Sequence, residues 1–99
     1  MARRLEFWVL VDPSQVIGNR VVVGGRCMDG PVLPGDTFTR LTLPEGSARV
    51  RLRVVEIRAY GRLFGQLDPV VTAELLLEGE GGDLIALRST LEADGAANV

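Results

Sequence analysis

The sequence predicts an all-β fold: a small β-barrel, closed or partly open, of six to seven strands. Three observations carry that prediction. The dominant hydrophobic period is two, and no stretch keeps a helical period. Turn formers punctuate the chain at short intervals, with Gly 12 and Pro 5 among 99 residues. A chain of this length builds one core, and closing its sheet removes edges that would otherwise lie open.

The elements follow in order. Residues 5–11, LEFWVLV, put Leu5, Phe7, Val9 and Val11 on one face and Glu6, Trp8 and Leu10 on the other. Residues 20–28, RVVVGGRCM, read as a strand broken by Gly24 and Gly25, a pair that marks a bend or a close approach of backbones. Two turn signals follow, Asp29-Gly30-Pro31 and Pro34-Gly35-Asp36, which together predict a tight hairpin. Gly25, Gly30 and Gly35 are its structural glycines. Gly30 is expected at positive φ, and Gly35 completes a Pro-Gly turn. The exit strand covers 36–43, and PEGS at 44–47 is a loop. In 49–58, Val50, Leu52 and Val54 alternate with Arg49, Arg51 and Arg53, after which the parity flips to Val55 and Ile57. A flip without a turn residue predicts a β-bulge near Val54 and Val55. Residues 59–69 read as a loop with room for one helical turn. Residues 70–79 form a strand with Val71, Ala73, Leu75 and Leu77 inward. A turn at 78–83 and a last strand at 84–91 close the domain, which spans 1–91, and 92–99 form a flexible tail.

Composition limits what the chain can do. Hydrophobic residues make up 46% and aromatics 5%, so the core is aliphatic. The net charge of −2 provides no global attraction to nucleic acid or acidic membranes. All 11 basic residues are Arg. The absence of His removes the usual catalytic triads, Cys-His dyads and zinc sites. No apolar run is long enough for a spanning helix, and the N-terminal run is too short for a signal peptide. The lone Cys27 fits a reducing compartment, so a cytoplasmic location is expected. Cys27 itself reads as a small apolar strand residue. Glu78, Glu80 and Asp83 match no calcium-loop spacing and read as an exposed acidic turn.

Two features remain as candidate partner-binding sites. The Arg49-Arg51-Arg53 row sets three guanidinium groups on one strand face, with Arg58 and Arg62 as extensions. Such a row suits a phosphate backbone or an acidic protein surface, and equally a solvated face with acidic cross-strand partners. Only Tyr60 is close in sequence as an aromatic platform, which weakens a single-stranded nucleic-acid reading. Trp8 and Leu10 make an apolar outer face, covered either by the chain itself or by another chain, including a second copy.

The stretch GNRVVVGGRCMDGPVLPGDTF resembles the second, β-barrel domain of translation GTPases such as elongation factor Tu. Val22, Val23, Gly25, Arg26, Gly30, Val32, Gly35 and Asp36 keep the family's spacing. VEIRAYGRLFGQLDPVVTAELLLEG is similar to its bulged strand, loop and closing strand, so the resemblance covers roughly residues 15–80. It implies a barrel without the GTPase domain, and a chain without Lys cannot hold a Walker A motif. At the positions that hold the aminoacylated end of tRNA in the family, this chain has Arg58 and Asn19. The resemblance therefore implies the scaffold more than the tRNA site. The expected function is a non-catalytic module, with no cofactor, metal or nucleotide, that binds a protein partner. The alternative is weak RNA or ribosome contact through the Arg49/Arg51/Arg53 face.

Overall fold

The structure is a computed structural model and describes residues 4–11, 13 and 16–94. Its strands are β1 (Arg4–Val11), β2 (Val16–Ile17), β3 (Arg20–Asp29), β4 (Thr37–Leu43), β5 (Gly46–Ala59), β6 (Arg62–Phe64), β7 (Thr72–Glu80) and β8 (Thr90–Asp94). Six of them hydrogen-bond in a ring, β1–β8–β4–β5–β7–β3 and back to β1. Every pairing in the ring is antiparallel. The result is an all-β, barrel-like sheet. The short strands β2 and β6 lie outside the ring as hairpin partners of β3 and β5.

The period of two explains the core. Phe7, Phe38, Leu52, Leu75, Leu77 and Leu91 point inward and are fully buried. Each such side chain contributes roughly 1.5–3 kcal/mol of transfer free energy. The parity flip in β5 is a bulge: register shifts between Val54 and Glu56, Val55 is the extra residue, and Ile57 returns to the core. A second bulge, in β1 between Val9 and Val11, was not anticipated. It turns Val11 outward to 59% exposure, although the alternation of LEFWVLV placed it inside. Val71, also expected inside, precedes β7 and is exposed, whereas Ala73, Leu75 and Leu77 are buried.

The glycines divide by cause. β3 runs unbroken through Gly24 and Gly25, so Gly25 is not a turn residue. It faces Val9 in register, and a Cβ there would collide with the carbonyl oxygen of Trp8 and approach the Phe7 ring at 2.8 Å. Close approach of β1 and β3 is therefore the reason for glycine. The expected hairpin at 25–39 does not form. β3 pairs with β1 and β7, while β4 pairs with β5 and β8, so residues 30–36 cross between non-neighbours. On the way, Val32 and Leu67 exchange backbone hydrogen bonds of 2.9 and 2.8 Å. Gly30 is not among the glycines at positive φ, and its bond to Pro31 is cis. A Cβ on Gly30 would sit 2.8 Å from the Val32 nitrogen and 3.0 Å from Cys27 Sγ, so space dictates glycine there, not handedness. Gly35 does have positive φ, 96°, in a turn closed by the Asp36 N–H donating to the Leu33 carbonyl at 3.0 Å. The buried Asp36 carboxylate also accepts the Leu33 N–H at 2.8 Å.

The C-terminal third departs most from expectation. Residues 84–91 are not one strand. Gly82–Leu84 form a 3₁₀ turn, and Ile85 enters the core. Ser89 Oγ donates to the Ala86 carbonyl at 2.6 Å, which folds Ala86–Ser89 into a turn. The apolar run LIAL misled because it carries no alternation that one face could bury. The last strand starts at Thr90, inserts between β1 and β4, and includes residues 92–94 of the expected tail. The rest of that tail, 95–99, lies outside the described residues. No helix among the described residues is long and apolar enough to cross a membrane.

Candidate functional site

β5 is 14 residues long and carries a different surface at each end. At its start, Arg49, Arg51 and Arg53 alternate with buried Val50, Leu52 and Val54, so the three guanidinium groups share the outer face as expected. They are not equivalent. Arg53 Nη2 donates to Glu78 Oε1 at 2.8 Å, and Arg20 Nε donates to the same carboxylate at 3.2 Å. These two hydrogen bonds hold the Glu78 carboxyl below the usual carboxylate range. Arg49 and Arg51 make no ion pair with any described residue. Both line an open groove with Thr37, Thr39, Ser47 and Glu80. Arg40 of β4 stands directly opposite Arg49 and donates from Nε to Glu92 at 2.7 Å.

Arg58 and Arg62 do not extend this row. They lie beyond the bulge, at the far end of β5 and on β6. Arg58 Nη2 bonds Glu56 Oε1 at 2.8 Å. What stands at that end is a hairpin in place of the expected loop. Ile57 pairs with Phe64, Arg58 with Leu63 and Ala59 with Arg62, leaving Tyr60 and Gly61 as a two-residue turn. Both have positive φ, 54° and 73°, the signature of a type I′ turn. Asn, Asp and Gly are the residues that suit its first position. A tyrosine there costs about 1–2 kcal/mol of backbone strain, and Tyr60 is 89% exposed, so burial recovers none of it. Leu63 and Phe64 are also exposed. At the same end of the barrel the loop into β7 exposes Val70, itself at φ 65°. The Val70 N–H donates to the Cys27 carbonyl at 2.6 Å, which holds the valine in place.

Sequence reasoning takes Tyr60 only as an isolated aromatic near the Arg row and misses Leu63 and Phe64, because residues 59–69 read as a loop. The signal was present: AYGRLF puts a residue and a glycine between two strand-like pairs, and β-hairpins close in this way.

The remaining candidates carry less. Trp8 is on the outer face as expected, 37% exposed between Arg26 of β3 and Thr90 of β8. Leu10 is half-buried at the β1 bulge. Cys27 is fully buried, and burial pushes its thiol up to about 11, which keeps it protonated and unreactive at neutral pH. Glu78 and Glu80 are outward residues of β7 and not part of an acidic turn. No group of His, Cys, Asp and Glu among the described residues is placed to hold a metal ion.

No protein-family model matches the chain, and no curated protein is significantly similar to it.

Proposed function

We propose that this barrel is a non-catalytic, cytoplasmic binding module that engages a protein partner through the β5–β6 hairpin. The observation that carries the proposal is Tyr60: a large aromatic side chain held in a left-handed turn and turned to solvent. Backbone strain that brings no packing gain inside the molecule is characteristic of contact sites. Tyr60, Leu63 and Phe64, flanked by Arg58 and Arg62, have the aromatic, aliphatic and Arg composition of interface hot spots. The resemblance to the second domain of translation GTPases agrees with a barrel that works by docking. The basic row agrees less with RNA, since Arg53 is already committed to Glu78.

Leu63→Ser tests the reading. Wild-type protein is expected to retain a specific protein from its own cell extract, and Leu63→Ser to lose it at unchanged urea midpoint. Equal retention by both proteins contradicts the proposal. The second reading, RNA contact, draws on Arg49 and Arg51, which lack acidic partners among the described residues. About three phosphate contacts give a log–log salt slope of only about −2 on single strands, which is weak binding at physiological salt. Retention of tRNA at that salt, lost when Arg49, Arg51 and Arg53 become Ala, would favour it.

A further inference from the structure

At its other end β5 has a sheet edge that no described strand completes, beside two arginines, Arg49 and Arg51, that form no ion pair with a described residue. The β7 ladder reaches β5 only from Arg51, opposite Glu80, onward to Arg58. There the chain leaves the sheet. Gly81 turns it at φ 98°, so close to β5 that a Cβ would lie 2.5 Å from Val50 Cγ1. The beginning of β5, residues 46–49, therefore pairs with β4 alone among the described residues. In an antiparallel ladder alternate residues turn their N–H and C=O groups away from the existing partner. This segment thus offers main-chain donors and acceptors in the position where β7 would have continued. Arg40, Arg49 and Arg51 line the same groove together with Thr37, Thr39, Ser47 and one acidic residue, Glu80.

The charges at this edge are poorly compensated. Arg49 faces Arg40 across the β4–β5 pair, and like charges directly opposite destabilise a sheet. Glu92 pairs with Arg40, Glu80 stands opposite Arg51 without an ion pair, and no described carboxylate pairs with Arg49. An anion in the groove would relieve this repulsion.

We infer that the 46–49 edge of β5 binds an acidic, extended polypeptide segment by strand addition, with its carboxylates on Arg49 and Arg51. Successive same-face side chains of an added strand are about 7 Å apart, which is also the spacing of Arg49 and Arg51. Long side chains reach both the direct and the diagonal partner across such a pair. A bidentate Arg–carboxylate contact then supplies specificity, and the main chain supplies the ladder. A phosphate chain fits less well. No aromatic among the described residues lines the groove for a base to stack on, and Tyr60 lies at the far end of β5. The inference rests on the binding-module reading but uses a surface separate from the hairpin.

The test uses the full chain and three labelled probes: a capped peptide of alternating Glu and Thr, its Gln–Thr counterpart, and an oligouridylate of equal charge. At physiological ionic strength the Glu–Thr peptide is expected to bind saturably and to slow amide exchange at residues 47–49. The Gln–Thr peptide should bind about tenfold more weakly or worse. The Arg49→Gln/Arg51→Gln double variant should also lose about tenfold or more, and Lys at both positions should recover only part of it. Unchanged urea midpoints establish that the variants fold. Three results would overturn the inference: no saturable binding of the Glu–Thr peptide, equal binding by wild type and the double variant, or tighter binding of the oligouridylate. The hairpin reading fails separately, because it predicts a captured protein lost in Leu63→Ser whether or not the peptide binds.

Discussion

Gly30 and Gly35 are five residues apart, and different physical causes require glycine at each. Gly35 needs a left-handed backbone and has open space around its Cα. Gly30 has ordinary handedness and no space, being packed against the Val32 nitrogen and Cys27 Sγ. Gly30→Ala is therefore expected to cost roughly 1–3 kcal/mol through overpacking, and Gly35→Ala about 1 kcal/mol through backbone strain. A d-alanine at position 35 tests the backbone cause, because a mirror-image Cβ suits positive φ: it should recover the stability lost in Gly35→Ala, as read by urea unfolding of semisynthetic protein. No recovery would contradict the backbone account. Cys27 gives a pH prediction. Its thiol is at about 11 in the fold against an ordinary 9.0, so the folded state holds its proton more tightly than the unfolded chain. Its contribution to stability is complete below pH 9 and is lost as pH rises through 9 to 11. Urea midpoints should fall across that window in wild type and fall less in Cys27→Ala. Parallel curves would contradict this.

At the level of elements, legibility followed periodicity. β1, β3, β5 and β7 announced themselves by alternation, and the Val55 bulge was visible because removing one residue restores the pattern from Val54 to Ile57. The β1 bulge gave no such sign, since Leu10 and Val11 are both apolar and a shift between them leaves the pattern looking intact. β8 was misplaced because LIAL is apolar without alternation, whereas the true inner pair, Leu91 and Ala93, is split by a charged residue in a stretch of small side chains. The β5–β6 hairpin hid because its turn carries tyrosine where asparagine would have marked it. Among the described residues β6 pairs on one side only, through three residues, and its side chains are exposed. Its amides are therefore expected to exchange far faster than those of β7, which is paired on both sides. Equal protection of the two strands in hydrogen exchange would mean that β6 is covered by something else, such as a second copy of the chain.

For the whole molecule, length and patterning predict a closed or partly open barrel of six to seven strands, and the structure has a barrel-like sheet with six strands in its ring, but the connectivity of that ring was not foreseen. Nothing local in GGRCMDGPVLPGDTF distinguishes a hairpin from a crossover between non-neighbouring strands; the Val32–Leu67 bridge that settles it is formed by residues 35 positions apart. The candidate sites divided in the same way. The Arg row could be read directly, since it follows from alternation. Its split into a committed Arg53 and uncommitted Arg49 and Arg51 depends on which acid β7 brings alongside. The ring then frames both proposed contacts: it buries the inward side chains of its strands, and it leaves a strained aromatic hairpin at one end of β5 and, among the described residues, an edge without a second partner at the other.

Tyr60→Asn tests the central claim, that the hairpin is kept for contact and not for folding. It gives the turn the Asn-Gly pair that type I′ geometry favours and removes the exposed ring. The account predicts opposite signs for two properties of one variant: stability rises by about 1 kcal/mol as backbone strain is relieved, and capture of the protein partner is lost. The decisive measurement is partner retention by Tyr60→Asn at matched concentration, with the urea midpoint recorded on the same sample. A midpoint above wild type with no retained partner is the predicted result. A variant that retains the partner as well as wild type would contradict the account.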